Sequence, residues 1–155
     1  MPQKVKGYFY HISQELSPKD HVLSPRGDGC NRDPDEPDIP RVCVCPTIAG
    51  CLNAVAPSLS FMKRVRVFRT KRKVTTVVPF GSHSSGLGKA VLDSHITKEK
   101  WLLHKASFKF IGYINLNHIG HLLCYNPGDP DNMGKQHRCM QGLLELEKEG
   151  QLLKF

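Results

Sequence analysis

Hydrophobic and polar positions along the chain alternate with two different periods, and the switches between them mark the elements. Residues 4–12 follow a period of two: Val5, Gly7, Phe9 and His11 fall on one side, Tyr8, Tyr10 and Ile12 on the other. That is a strand. The pattern then dissolves over 13–40, where Ser24-Pro25-Arg26-Gly27-Asp28-Gly29 and Asp33-Pro34-Asp35-Glu36-Pro37-Asp38 predict a long loop with at most one short element. Loops of that length in a compact domain are usually functional or mobile. Arg41–Cys45 reads as a short apolar strand, and Thr47 is placed to cap the helix after it. In that helix Ile48, Cys51, Leu52 and Val55 recur at i, i+3, i+4 and i+7, and Pro57 stops it.

Further strands are predicted at Val65–Thr70, Val74–Phe80, Lys100–His104 and Phe108–Leu116, with Phe108, Phe110, Ile114 and Leu116 on one face of the last. Gly81–Gly88 reads as a loop and Asn126–Gly134 as turn-rich. Residues 136–148 form an amphipathic helix with Met140, Leu143 and Leu144 in its stripe and Gly150 as its stop. With no repeat and no linker, 1–155 reads as a single domain.

Composition narrows the class. No apolar run approaches the roughly 20 residues a membrane helix needs, and Met1-Pro2-Gln3-Lys4 opens no apolar leader. No membrane partner is expected, and the expected location is a cytoplasm. The six cysteines are therefore read as reduced thiols, with Cys43 and Cys45 in an apolar strand and Cys51 in the helical stripe. A formal net charge of +8 favours polyanionic partners.

Several familiar chemistries fail on spacing. A phosphate loop ending at Gly88-Lys89 would need glycine at 83 and a hydroxyl at 90, where His83 and Ala90 stand. Cys43-x-Cys45 lacks the spacing of a zinc turn, so no metal is expected. No Gly-x-Ser-x-Gly elbow is present. Lys63, Arg64, Arg66, Arg69, Lys71, Arg72 and Lys73 form a dense basic cluster, with Phe61 and Phe68 interleaved. It reads equally as a phosphate-tracking surface and as a solvated edge strand guarded against aggregation.

One order of motifs says more. Tyr10-His11-Ile12-Ser13 closes the first strand, Cys45-Pro46-Thr47-Ile48 leads from a strand into a helix, and Thr97-Lys98-Glu99-Lys100-Trp101 precedes Phe108-Lys109-Phe110. This order resembles the ADP-ribosyltransferases, in the manner of a small phage or bacterial member. The resemblance implies an α+β fold built on a twisted, mostly antiparallel split sheet with few helices. It implies NAD as substrate, cleaved at the nicotinamide–ribose bond, with ADP-ribose passed to an unknown protein or nucleic-acid acceptor. It makes Glu99 the catalytic carboxylate. His11 becomes the clamp on the adenosine-side ribose, Tyr10 (or Tyr8) a stacking ring, Arg26 a pyrophosphate contact and Thr47 a supporting hydroxyl. Ile12 stands where the family has a small residue, and Thr97 stands two before Glu99 where members often carry an acid or Gln. Each residue also has a plainer reading: a structural histidine, a helix cap, a solvated charge. The alternative function is a non-enzymatic basic accessory protein, a phage or bacterial regulator that binds nucleic acid or a protein.

Overall fold

A computed structural model describes residues 3–26, 40–78, 94–125 and 132–154, the side chains of 94 and 95 excepted. Within them run β1 (Lys4–Gly7), β2 (Tyr10–Ser13), β3 (His21–Leu23), β4 (Val42–Val44), α1 (Ile48–Val55), β5 (Arg64–Thr70), β6 (Val74–Val77), α2 (Ser94–Thr97), β7 (Lys100–Leu102), β8 (Ala106–Asn115) and α3 (Asn132–Lys148). Single 3-10 turns cover Ala56–Ser58, Leu116–His118 and Gly120–Leu122. The strands form two antiparallel sheets, ordered β1-β6-β7-β4 and β2-β5-β8-β3. The fold is α+β, as expected. The sheets meet where Tyr10 and Cys45 exchange backbone hydrogen bonds of 2.8 and 3.1 Å.

The first predicted strand is two, because the chain changes sheets midway: β1 pairs with β6 and β2 with β5. Phe9, fully buried at the corner, donates its N–H to the Thr70 hydroxyl and accepts from the Thr70 N–H. The alternation read from sequence holds and feeds two cores. Val5 and Phe9 join Val42, Val44, Phe68, Leu102 and Phe108, a cluster to which both sheets contribute. Tyr10 and Ile12 pack instead toward Leu52, Val65, Val67, Ile114 and Leu143, under α1 and α3.

β8 departs from expectation. Val67 pairs with Gly112 but Phe68 with Phe110, so Ile111 is an extra residue and the strand bulges. Side-chain parity reverses there. Phe108 and Phe110 join the inter-sheet core while Ile114 and Leu116 join the helical one, so the four do not share a face. The predicted loop at 13–40 contains β3 and a bridge from Arg26 to Arg41; 27–39 lie outside the described residues, as do Gly81–Gly88 and 126–131.

α3 starts at Asn132, a turn before its predicted start, so 132–134 are helix rather than turn. The reason is tertiary. Buried Gln136 and Asn53 bond reciprocally, at 3.2 and 3.0 Å, and lock this end of α3 to α1, outweighing the cost of Gly134. Met140 and Leu143 are buried but Leu144 lies off the stripe, 37% exposed. The helix ends as predicted at Gly150, whose φ of +71° allows Gly150 N–H to reach Glu147 and Gln151 N–H to reach Leu146.

Gly112 has φ +148°, and a Cβ there would collide with the Lys154 carbonyl, which pairs with Tyr113 at 2.6 Å. Gly112→Ala should cost about 2 kcal/mol or more and lower the melting temperature by about 4–8 °C. Calorimetry checks this, and an unchanged melting temperature would contradict the packing described.

Candidate functional site

β7 is entered through a constrained turn. Thr97 is buried and its hydroxyl accepts the Glu99 N–H at 3.2 Å. Lys98, between them, holds φ at +61°, a region that costs a non-glycine residue of order 1 kcal/mol and is found where a neighbour must be aimed. The Lys100 ammonium donates to the Lys98 carbonyl at 2.8 Å. The residue so aimed is Glu99. Its Oε2 accepts the indole N–H of Trp101 at 2.9 Å.

Trp101 is fully buried beside Val77 and Cys43, with the Arg41 guanidinium 4.0 Å from its ring centroid. Arg41 is buried, and its backbone pairs with Arg26 at 3.1 and 3.2 Å. The loop arginine named from the sequence is thus brought to the start of β4.

α1 braces this turn from the other side. A Cβ on Gly50 would run into the Thr97 carbonyl and sit 3.0 Å from the Thr47 hydroxyl, so the helix approaches as only glycine permits. Thr47 caps α1, accepting the Gly50 N–H at 3.0 Å. Glu147 of α3 takes the Ile48 and Ala49 N–H groups at 3.1 and 2.8 Å, one on each carboxylate oxygen. The positive end of α1 is therefore met by the protein's own carboxylate. Cys45, beneath this turn, is buried and its thiol is pushed well above its usual range. Its hydrogen bond with Cys51 is the largest cause, then burial, with the nearby Glu99 carboxylate adding to it.

His11 sits on the other side of β4. Its Nδ1 lies 3.0 Å from the Cys43 carbonyl, and its ring meets Phe108 edge-on at 6.1 Å. A carbonyl can only accept, so Nδ1 carries the proton and Nε2 is left as an acceptor. Burial lowers the pKa of the ring, partly offset by the Cys43 bond, and holds it neutral at pH 7. His11 on β2 and Glu99 ahead of β7 thus flank the same short strand: Cys43 bonds one and pairs in register with Trp101, which bonds the other.

The other residues named from sequence are placed as follows. Tyr10 is half-buried and packs toward the helical core. β5, carrying the basic cluster, is an interior strand between β2 and β8 and not an edge. Its cations are divided: Arg64 stacks on Tyr113 at 4.2 Å, Arg66 donates to the Gln14 and Leu16 carbonyls, Arg69 stacks on Tyr8 at 4.3 Å and Lys71 pairs with Asp20 at 2.8 Å. Lys63, Arg72 and Lys73 are exposed. Trp101, Arg41, Gly50 and Glu147 were missed. Trp101 was legible, since strand residues two apart share a face with Glu99. Glu147, 98 residues from its partner Ala49, left no local signal.

No protein-family model, curated protein or solved structure matches the chain. Among the described residues no helix is long and apolar enough to cross a membrane, and no group of three or more His, Cys, Asp or Glu is placed to hold a metal ion. Cys43, Cys45, Cys51, Cys124 and Cys139 are not joined in disulfides.

Trp101→Phe keeps a ring for Arg41 and the core but removes the donor to Glu99. In a double-mutant cycle with Glu99→Ala, urea unfolding should give a coupling of about 1 kcal/mol; additive losses would mean the bond contributes nothing. His11 supplies a second expectation. Its folded pKa lies below the unfolded value of about 6.5, so the unfolded chain binds more protons in between. Its contribution is complete above pH ~6.5 and is lost as pH falls toward the folded value. Between pH 7 and 5.5, His11→Asn should lose less stability than the wild type; equal losses would contradict the burial of the ring.

Proposed function

We propose that the protein is an NAD-consuming ADP-ribosyltransferase of the kind its motif order resembles. The observation that carries the reading is Glu99: a carboxylate raised on a strained turn, oriented by a buried indole, beside the strand whose carbonyl sets the tautomer of His11. A carboxylate fixed in this way suits a reaction whose transition state gains positive charge.

In this reading Glu99 accepts a hydroxyl of the nicotinamide-side ribose. As the bond between C1′ and the nicotinamide nitrogen breaks, its charge stabilises the oxocarbenium-like ribose. Nicotinamide leaves with the bonding electrons, and an acceptor nucleophile attacks C1′ and gives up its proton. His11 faces the inter-sheet core beside Phe108, opposite the face of Glu99, so in this scheme it supports the site through the Cys43 carbonyl and β4 and does not contact NAD. Arg26, held beside Arg41, is suited to the pyrophosphate, where a guanidinium gives bidentate contacts. The N-terminus of α1 is not needed for that phosphate, because Glu147 already occupies it. Thr47 serves as the cap of α1 in this scheme, and so acts on the site only through the helix.

Adenine-labelled NAD incubated with the protein and a bacterial lysate tests the reading, with released nicotinamide measured in parallel. Wild type should release nicotinamide and label an acceptor, and Glu99→Gln should lower the rate by about two to three orders of magnitude. Turnover that survives Glu99→Gln would remove Glu99 from the chemistry, and no release by wild type would favour the non-enzymatic accessory protein.

A further inference from the structure

Residues opposite one another on antiparallel strands share a face of the sheet. Tyr10 pairs with Cys45 on one side and with Arg69 on the other, and Arg69 pairs with Lys109. Lys100 pairs with Val44, so one step further along this register Glu99 stands opposite Cys45. A row of side chains therefore crosses five strands, from Glu99 through Cys45, Tyr10 and Arg69 to Lys109, acidic at one end and basic at the other. The first turn of α1 covers its middle, where Cys45 is buried. Val65 and Val67, on this face of β5, lie under the helices, whereas Arg69 lies past them.

The basic end has the chemistry of a binding surface. The Arg69 guanidinium lies over Tyr8, 4.3 Å from the ring centroid, and Tyr8 is 41% exposed. Lys71, the next residue of this parity, and Lys109 are both exposed, and Asp20 between them is the acid that the described residues place here. Arg72 and Lys73 carry exposed positive charge on through the turn. The other half of the sequence cluster takes no part. Arg64 and Arg66 have the opposite parity on β5, with Arg64 on Tyr113 and Arg66 bound to the Gln14 and Leu16 carbonyls.

We propose that the face formed by Tyr8, Arg69, Lys71, Lys109 and the Arg72–Lys73 turn docks a single-stranded nucleic acid. Excess positive charge supplies the attraction, and a guanidinium stacked on an exposed ring offers an unpaired base a flat partner. A duplex keeps its bases paired and presents mainly phosphates. Arg69 stands three strand spacings from Glu99, about 14 Å, within a few nucleotides of a flexible strand. The role of that strand as the ADP-ribose acceptor rests on the NAD reading; its docking does not.

Fluorescence polarisation of a labelled 12-nucleotide single strand, measured without NAD on the full chain, tests the docking. Arg69→Gln/Lys109→Gln should weaken binding about tenfold and flatten the dependence of log K on log salt by about 1.4, two phosphate contacts' worth for a single strand. The matched pair Lys63→Gln/Arg64→Gln should change affinity less than about twofold. Lys109→Gln alone, at an exposed position, should weaken binding without altering the melting temperature. Equal losses in the two pairs, equal affinity for the matching duplex, competition by polyglutamate as effective as by the unlabelled strand, or no binding at all would each overturn the proposal. If wild type releases no nicotinamide while the oligonucleotide results hold, the NAD reading fails and the docking face stands.

Discussion

The approach of α1 to the Thr97 carbonyl constrains more of this molecule than any other contact. It is closer than any side chain at position 50 would permit, and it joins three parts of the chain that share no sequence neighbourhood. Below it lies the junction of the two sheets, where Tyr10 and Cys45 exchange backbone bonds. Beside it lies the turn that aims Glu99. Above it, Glu147 reaches from α3 to take the first two amides of α1. Moving α1 outward by the width of a methyl group would disturb the cap, the turn and the sheet junction together.

The same region decides where negative charge can go. A helix N-terminus attracts anions, and after a strand it is a common phosphate site. Here the attraction is answered internally, by a carboxylate whose two oxygens are both engaged. Glu99 is steered differently, by an indole donor whose ring carries a guanidinium on its face. The guanidinium lends positive character to the neighbourhood of Glu99.

How much of this was legible depended on range. Strand alternation at 4–12, the Thr47 cap, the helix from Ile48 to Val55 and the glycine stop at Gly150 are local, and each is found where the pattern put it, although the face of α1 in the helical core is Ile48, Ala49, Leu52 and Ala56 and not the stripe through Cys51 and Val55. The failures come from contacts the local pattern does not encode. The strand at 4–12 breaks because the chain passes from one sheet to the other. The start of α3 was hidden because the Asn53–Gln136 pair spans 83 positions. In the candidate site, Glu99 and His11 were named from motif order, but the groups that orient them came from elsewhere. Trp101 could have been read from strand parity alone. Arg41 and Glu147 could not, since their roles depend on register and on helix packing.

The basic cluster shows why parity matters more than density. Seven cations in eleven residues look like one surface in sequence. On a strand they cannot be one, because successive side chains point to opposite faces. β5 sends Arg64 and Arg66 to one side and Arg69 to the other, and being interior it offers both faces but no edge. The bulge at Ile111 alters the partner strand's parity without altering that of β5, so Phe68 and Phe110 still meet, at 5.7 Å, while Val67 faces Gly112. Sorting by face is what separates the arginines that hold this fold together from the one that lies in line with Glu99.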